Sequence, residues 1–273
     1  MLLRNGNLMP KRLYREDPLT PGEREEYEAD LISFSDHQLD LLGDITSLDV
    51  LYAGGASILW VEGLSERVGE EGSVTALELD PRRVEESRKL LDEIELPALV
   101  RLIVGDIFRP PFTPNAFDLV YSAGLFHELD VRKRTVGEAV GALASVVRAG
   151  GRVSTSDFVD SVPAVQLEDE DLQRRLAREA RGNELYGIGS PERLAMLHEA
   201  LLGDVSWRIS PPHHVRHLEK IVLAEEEPEE LRGLPAASRT RLQKRREALL
   251  ERIRGEGYTR PATLYVEGLL ADT

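Results

Sequence analysis

The chain of 273 residues has no cysteine, so disulfides, thiolate metal sites, iron–sulfur clusters and a cysteine nucleophile are all excluded. Positive charge is in deficit: 34 Lys plus Arg stand against 49 Asp plus Glu, a formal net charge of −15. A field of that sign repels phosphate backbones, so nucleic acid is disfavoured as a partner unless a local basic patch works against it. No run approaches the ~18 uninterrupted apolar residues of a membrane-crossing helix. The charged start Met1–Glu16 also lacks the apolar stretch of a secretory signal. Cytoplasmic residence without membrane contact is the expectation. What the chain does have is 41% hydrophobic content, enough at this length for a core without staples.

Between Leu48 and Val159, short β-branched apolar runs alternate with stretches of helical period. Strands are predicted at 49–53, 73–79, 99–104, 117–122 and 152–158, most of them apolar on both faces as buried parallel strands are. Asp80-Pro81 opens a helix carrying Val84, Leu91 and Ile94. A second helix places Val136, Val140, Leu143 and Val147 on one face and is expected to stop at Gly150-Gly151. Strand–helix alternation of this kind makes a parallel sheet with right-handed crossovers, an open doubly wound α/β fold.

The flanks read differently. Residues 1–43 are charged and proline-containing, then give a helix with Tyr27, Leu31, Phe34, Leu39 and Leu42; they are expected to form a cap or lid. After Asp160 come a helix near 167–181, another opened by Ser190-Pro191, and strands near 204–209 and 263–269. The charged stretch 215–258 between those strands is read as a helical insertion, leaving 44–214 and 259–273 as the main domain.

Three features fall at the carboxyl ends of the first three strands, where open α/β sheets bind ligands. Ala53-Gly54-Gly55-Ala56-Ser57 is a small-residue turn that lets backbone amides and a helix N-terminus approach an anion. The dinucleotide spacing G-x-G-x-x-G fails, because 56 is Ala and 59 is Leu. Glu78 can accept from the vicinal hydroxyls of a ribose, and Asp106 from an exocyclic adenine amine. Each acid alone reads as a solvated strand end. Together, in chain order, they describe a ligand with an amino-acid end and an adenosine end.

With these residues in view, 40–160 resembles a class I S-adenosylmethionine-dependent methyltransferase. The resemblance runs through Val50-Leu51-Tyr52-Ala53-Gly54-Gly55-Ala56, Ala76-Leu77-Glu78-Leu79-Asp80-Pro81 and Val104-Gly105-Asp106-Ile107. It continues through Pro111–Val120, Leu125-Phe126-His127-Glu128-Leu129 and Arg148-Ala149-Gly150-Gly151-Arg152. It implies a Rossmann-like seven-stranded sheet with the last strand antiparallel. It further implies S-adenosylmethionine held by Tyr52, Ala53, Gly54, Gly55, Ala56, Glu78, Leu79, Asp106, Ile107 and Ser122, and methyl transfer to a small-molecule acceptor. Three positions depart from the family's first motif: Tyr52 replaces an acid, and Ala56 and Ile58 replace glycines. A positive φ at Ala56 would cost on the order of 1–2 kcal/mol. Two other readings stay open: a methyltransferase fold that has lost catalysis and serves as a binding scaffold, and a methyltransferase acting on RNA or protein.

His127, after the fourth strand, is the candidate catalytic residue, positioned for acid–base work or for capping the next helix. The family's amine-methylating signature is absent at 122–125, which disfavours nucleobase amines. His213 and His217 could share a helical face as metal ligands, but Pro211-Pro212 interrupts that helix and no metal is expected. The run 239–254 carries seven basic residues against two acidic ones, with Leu242, Leu249, Leu250 and Ile253 on one face. It has no interleaved aromatics, so it reads as a docked amphipathic helix rather than an RNA-binding one. The N-terminal segment, with Tyr14, Tyr27 and Phe34, and a helix around Leu185-Tyr186 are expected to cover the acceptor pocket.

Overall fold

The computed structural model describes residues 17–160 and 163–271. Tyr14 lies outside the described residues. Seven strands form one sheet: β1 (Asp49–Ala53), β2 (Ser73–Glu78), β3 (Leu99–Val104), β4 (Phe117–Ala123), β5 (Val147–Val159), β6 (Gly203–Ser210) and β7 (Ala262–Leu269). Their order is 3-2-1-4-5-7-6, with β7 antiparallel to both of its neighbours. The strand order reverses between β1 and β4, the switch point where such sheets open a ligand crevice.

Alternation along the strands assigns the two faces. Val50, Tyr52, Val74, Ala76, Leu119 and Tyr121 turn to one face, covered by α1 (Pro21–Asp40), α2 (Ile58–Val68) and α3 (Pro81–Leu91). Leu51, Ala53, Leu77, Val120 and Val153 turn to the other, covered by α4 (Val136–Ala144) and α6 (Pro191–Glu199). The edge strand β3 departs from the expected two-sided burial: Leu99 and Val104 are exposed. Local chemistry fixes the helix starts. Thr20 accepts from the Glu23 amide and Glu23 accepts from the Thr20 amide, a capping box closed by Pro21. The Asp80 carboxylate accepts from the Arg82 amide ahead of α3.

Two expected helices are corrected. The helix before β5 ends at Ala144, not at Gly150-Gly151, because the Val146 carbonyl accepts from the Ala116 and Phe117 amides and draws the chain into the sheet. Val147 therefore pairs with Phe117. Residues 185–186 are extended, not helical: the Tyr186 amide donates to the Leu129 carbonyl and the Gly187 amide to that of His127. Gly182, left-handed at φ +70°, ends α5 (Ala164–Arg181) before this segment.

The stretch between β6 and β7 is helical, as expected: α7 (Leu218–Ala224), α8 (Glu229–Arg232) and α9 (Ala236–Glu256). Leu242, Leu249 and Ile253 of α9 pack with Val165, Leu172 and Leu176 of α5. The basic face of α9 meets acids there, Arg241 with Glu179, Arg245 with Asp171 and Arg252 with Glu168. Its charge is thus largely matched within the fold. Among the described residues no helix is long and apolar enough to cross a membrane.

Candidate active site

The carboxyl ends of β1, β2 and β3 lie side by side, with Ala53 beside Leu77 and Glu78 beside Val104. Gly54 turns the chain off β1 at φ +82°, a left-handed conformation that favours glycine, and a Cβ there would fall 2.4 Å from the Leu125 side chain. The Gly54 and Gly55 amides both donate to the Leu77 carbonyl, so neither is left for a ligand. Ala56 takes an ordinary negative φ, contrary to the strain anticipated for it, and its carbonyl accepts from the Ser87 hydroxyl at 2.6 Å.

Glu78 is 8% exposed; its Oε1 accepts from the Asp80 amide at 2.8 Å. Asp106 Oδ1 accepts from the Phe108 amide at 2.9 Å. Each carboxylate is thereby pinned through one oxygen. Between them Leu79, 70% exposed, offers an apolar face of the kind a purine ring covers, and Ile107 is buried beneath. The residues therefore fit an adenosine. The opposite end of the crevice is rebuilt: Tyr52 is buried against Tyr121, its phenol faces Gly55, and Leu125 lies over Gly54. Burial, with Tyr121 and Glu78 nearby, raises the Tyr52 phenol far above the ordinary tyrosine range, so it stays a neutral donor. Beyond it α2 begins at Ser57 without a side-chain cap or a first-turn acid, an open helix N-terminus suited to a carboxylate.

Ser122 is not brought to this site. It is 1% exposed, and its hydroxyl donates to Thr155 Oγ1, which in turn meets His198 Nε2 at 3.0 Å on the opposite face of the sheet from Tyr52. His198 Nδ1 meets the Leu194 carbonyl, and burial, partly countered by that bond, lowers its pKa.

His127 stands in a single 3-10 turn, Phe126–Glu128, directly after β4. Its Nδ1 donates to Asp157 Oδ1 at 2.7 Å, and Asp157, 2% exposed, also accepts from the amides of Phe126, His127 and Phe158. Burial alone would lower the imidazole pKa; the Asp157 charge and hydrogen bond, with Glu128 and Glu170, reverse that and raise it from 6.5 to about 9. At neutral pH the ring is a cation, bonded through Nδ1 and able to donate from Nε2 as well. Glu170 on α5 has a buried Oε1 with no hydrogen-bond partner, and burial pushes its carboxyl up against the pull of His127 and Arg174. Tyr186 closes this side, with the Arg193 guanidinium 3.5 Å from its ring centroid and its own hydroxyl buried and unpaired. His127, Asp157, Phe158, Tyr186 and Arg193 line a small cavity there.

His213 and His217 do not share a helical face. His217 precedes α7 in a left-handed conformation and bonds Glu26 at 2.8 Å, whereas His213 packs on Phe34 and meets the Asp30 carbonyl. Sequence reasoning missed Asp157, Glu170 and Arg260. Only Asp157 was signalled, as a lone acid in the strand Ser154-Thr155-Ser156-Asp157-Phe158.

Residues 48–155 match the model of a methyltransferase domain family. This match and the strand order 3-2-1-4-5-7-6 together support a class I S-adenosylmethionine-dependent methyltransferase domain. The ubiquinone/menaquinone biosynthesis C-methyltransferase UbiE of Idiomarina loihiensis is 32% identical over 143 residues, 50% of this chain and 55% of that protein. The chain thus spans about half the length of this curated relative. Among solved structures, a cyclopropane-fatty-acyl-phospholipid synthase-like protein from Lactobacillus casei superposes with a TM-score of 0.68 at 16% identity, covering 97% of this chain and 98% of that one. The geranyl diphosphate C-methyltransferase of Streptomyces coelicolor gives a TM-score of 0.55 at 13% identity, covering 96% and 86%. At these identities the likeness is one of fold.

Proposed function

We propose that the protein transfers a methyl group from S-adenosylmethionine to a small-molecule acceptor. The observation that carries the reading is the pair Glu78 and Asp106, each pinned through one carboxylate oxygen beside the exposed Leu79 at adjoining strand ends. Glu78 would hold the ribose, Asp106 the adenine amine and Leu79 and Ile107 its ring, while Tyr52, Ala53, Gly54, Gly55 and Ala56 shape the methionine end and the N-terminus of α2 faces its carboxylate. Bound there, the cofactor supplies a sulfonium methyl that an acceptor displaces in line. The chain's own part is placement, which can supply much of the acceleration.

His127, as a cation anchored to Asp157, orients the acceptor by donating from Nε2 and stabilises negative charge that builds on it. Where the acceptor must lose a proton, Glu170 is the nearby group with an unpartnered, raised carboxyl able to take it. Tyr186 lines this pocket, and the segment carrying Tyr27 and Phe34 would cover it from the side of Phe158. Calorimetry with S-adenosylmethionine and S-adenosylhomocysteine tests the reading: both bind, and Glu78→Ala weakens each about 10- to 100-fold, as loss of a hydrogen bond to a charged group does. A wild-type protein that binds neither would instead be a scaffold on a methyltransferase fold, a reading favoured only by the occupied Gly54 and Gly55 amides.

A further inference from the structure

Arg260 precedes β7 by two residues, and the antiparallel pairing of Ala262 with Val159 brings it to the carboxyl end of the sheet. Its backbone is held from two sides: its amide donates to the His213 carbonyl, and the Thr259 carbonyl accepts from Gln166. Its guanidinium lies between two rings, with Cζ 4.4 Å from the Phe34 centroid and 5.5 Å from that of Phe158. Both rings lead to the catalytic side. Phe158 packs on His127, and Phe34 packs on Trp60, which meets Tyr121 beside Tyr52.

Among the described residues this guanidinium has no carboxylate within ion-pair distance and makes no hydrogen bond, and its Nε is fully enclosed. A cation drawn out of water without a counter-charge is costly, and two ring faces offset only part of that. The arrangement suits a missing anion, with the planar fork of arginine matched to carboxylate or phosphate oxygens. We propose that Arg260 receives the anionic group, carboxylate or phosphate, of a methyl acceptor whose apolar body lies along Phe34 and Phe158. This rests on the methyl-transfer reading and adds the acceptor's chemical class.

The test uses the full chain saturated with S-adenosylhomocysteine and three probes that share a phenyl ring: benzoate, phenyl phosphate and neutral benzamide. Calorimetry is expected to show at least one of the two anions binding ~10-fold or more tighter than benzamide, and which anion prevails distinguishes carboxylate from phosphate. Arg260→Met, which keeps length and packing, removes that preference and leaves S-adenosylhomocysteine affinity unchanged; Arg260→Lys retains part of it. Melting of the ligand-free variant supplies a second readout: removing an unmatched cation leaves the Tm level or higher, whereas a purely structural cation–π role lowers it. Benzamide binding as tightly as both anions, no probe binding while S-adenosylhomocysteine does, or an anion preference that survives in Arg260→Met would each overturn the proposal and leave the methyl-transfer reading standing. Failure of S-adenosylhomocysteine to bind the wild type would overturn that reading and, with it, the acceptor assignment.

Discussion

At the scale of single residues, the protonation of His127 decides what it can do. An imidazole held at about 9 cannot act as a base at neutral pH, so its value to the reaction lies in donating and in charge. Followed by NMR, its ring should titrate near 9 in the wild type, and Asp157→Asn should lower it markedly, since burial is then opposed only by Glu128 and Glu170; a wild-type ring titrating near 6.5 would contradict this. Ala56 supplies a second case. Its negative φ and its bond to Ser87 mean that Ala56→Gly relieves nothing: cofactor affinity should stay within about twofold, with stability falling by roughly 0.4–1 kcal/mol because the unfolded chain gains freedom, read from chemical denaturation. Glu78 and Asp106 were legible in the sequence because strand-end position alone places them. Arg260 and Glu170 were not, since what singles each out is the absence of a partner, and partners come from segments distant in the chain.

At the scale of elements, β1 to β4 were legible almost to the residue, because short, mostly apolar and β-branched runs flanked by turn residues admit little else. The start of β5 was not: Val146 and Val147 continue the helical stripe of α4, and only the amides of Ala116 and Phe117 decide that they join the sheet. Tyr186 was expected in a helix, yet Gly182, Gly187 and Gly189 around it favour the extended path it takes along 127–131. Within the insertion, apolar packing outweighs charge. Leu249→Ala, at a side chain 2% exposed against α5, should cost about 2–5 kcal/mol in urea unfolding. Arg241→Ala, which removes a surface pair with Glu179, should cost no more than about 1 kcal/mol.

At the scale of the whole molecule, the net charge of −15 opposes an anionic acceptor until it is close to Arg260. Raising ionic strength from about 0.02 to about 0.15 M screens the long-range repulsion more than the half-enclosed contact, so kcat/KM for such an acceptor should rise with salt over that range. A steady fall would point to attraction outside the site. β5 carries one more consequence. Two residues apart on one face, Thr155 holds His198 and Asp157 holds His127, and the two rings are kept in opposite states, one neutral and one charged. Since His198 Nδ1 must donate to the Leu194 carbonyl, its Nε2 accepts from Thr155, and a second proton would break that chain of hydroxyls inside the core. The stability due to neutral His198 is present above the free value of 6.5 and is lost as pH falls through its own lowered pKa. That due to charged His127, on the order of 3 kcal/mol, is complete below 6.5 and is lost as pH rises to about 9. The slopes have opposite sign and meet near 6.5, so these two side chains by themselves give the fold a dome of stability against pH, with its crest where an unconstrained imidazole is half protonated.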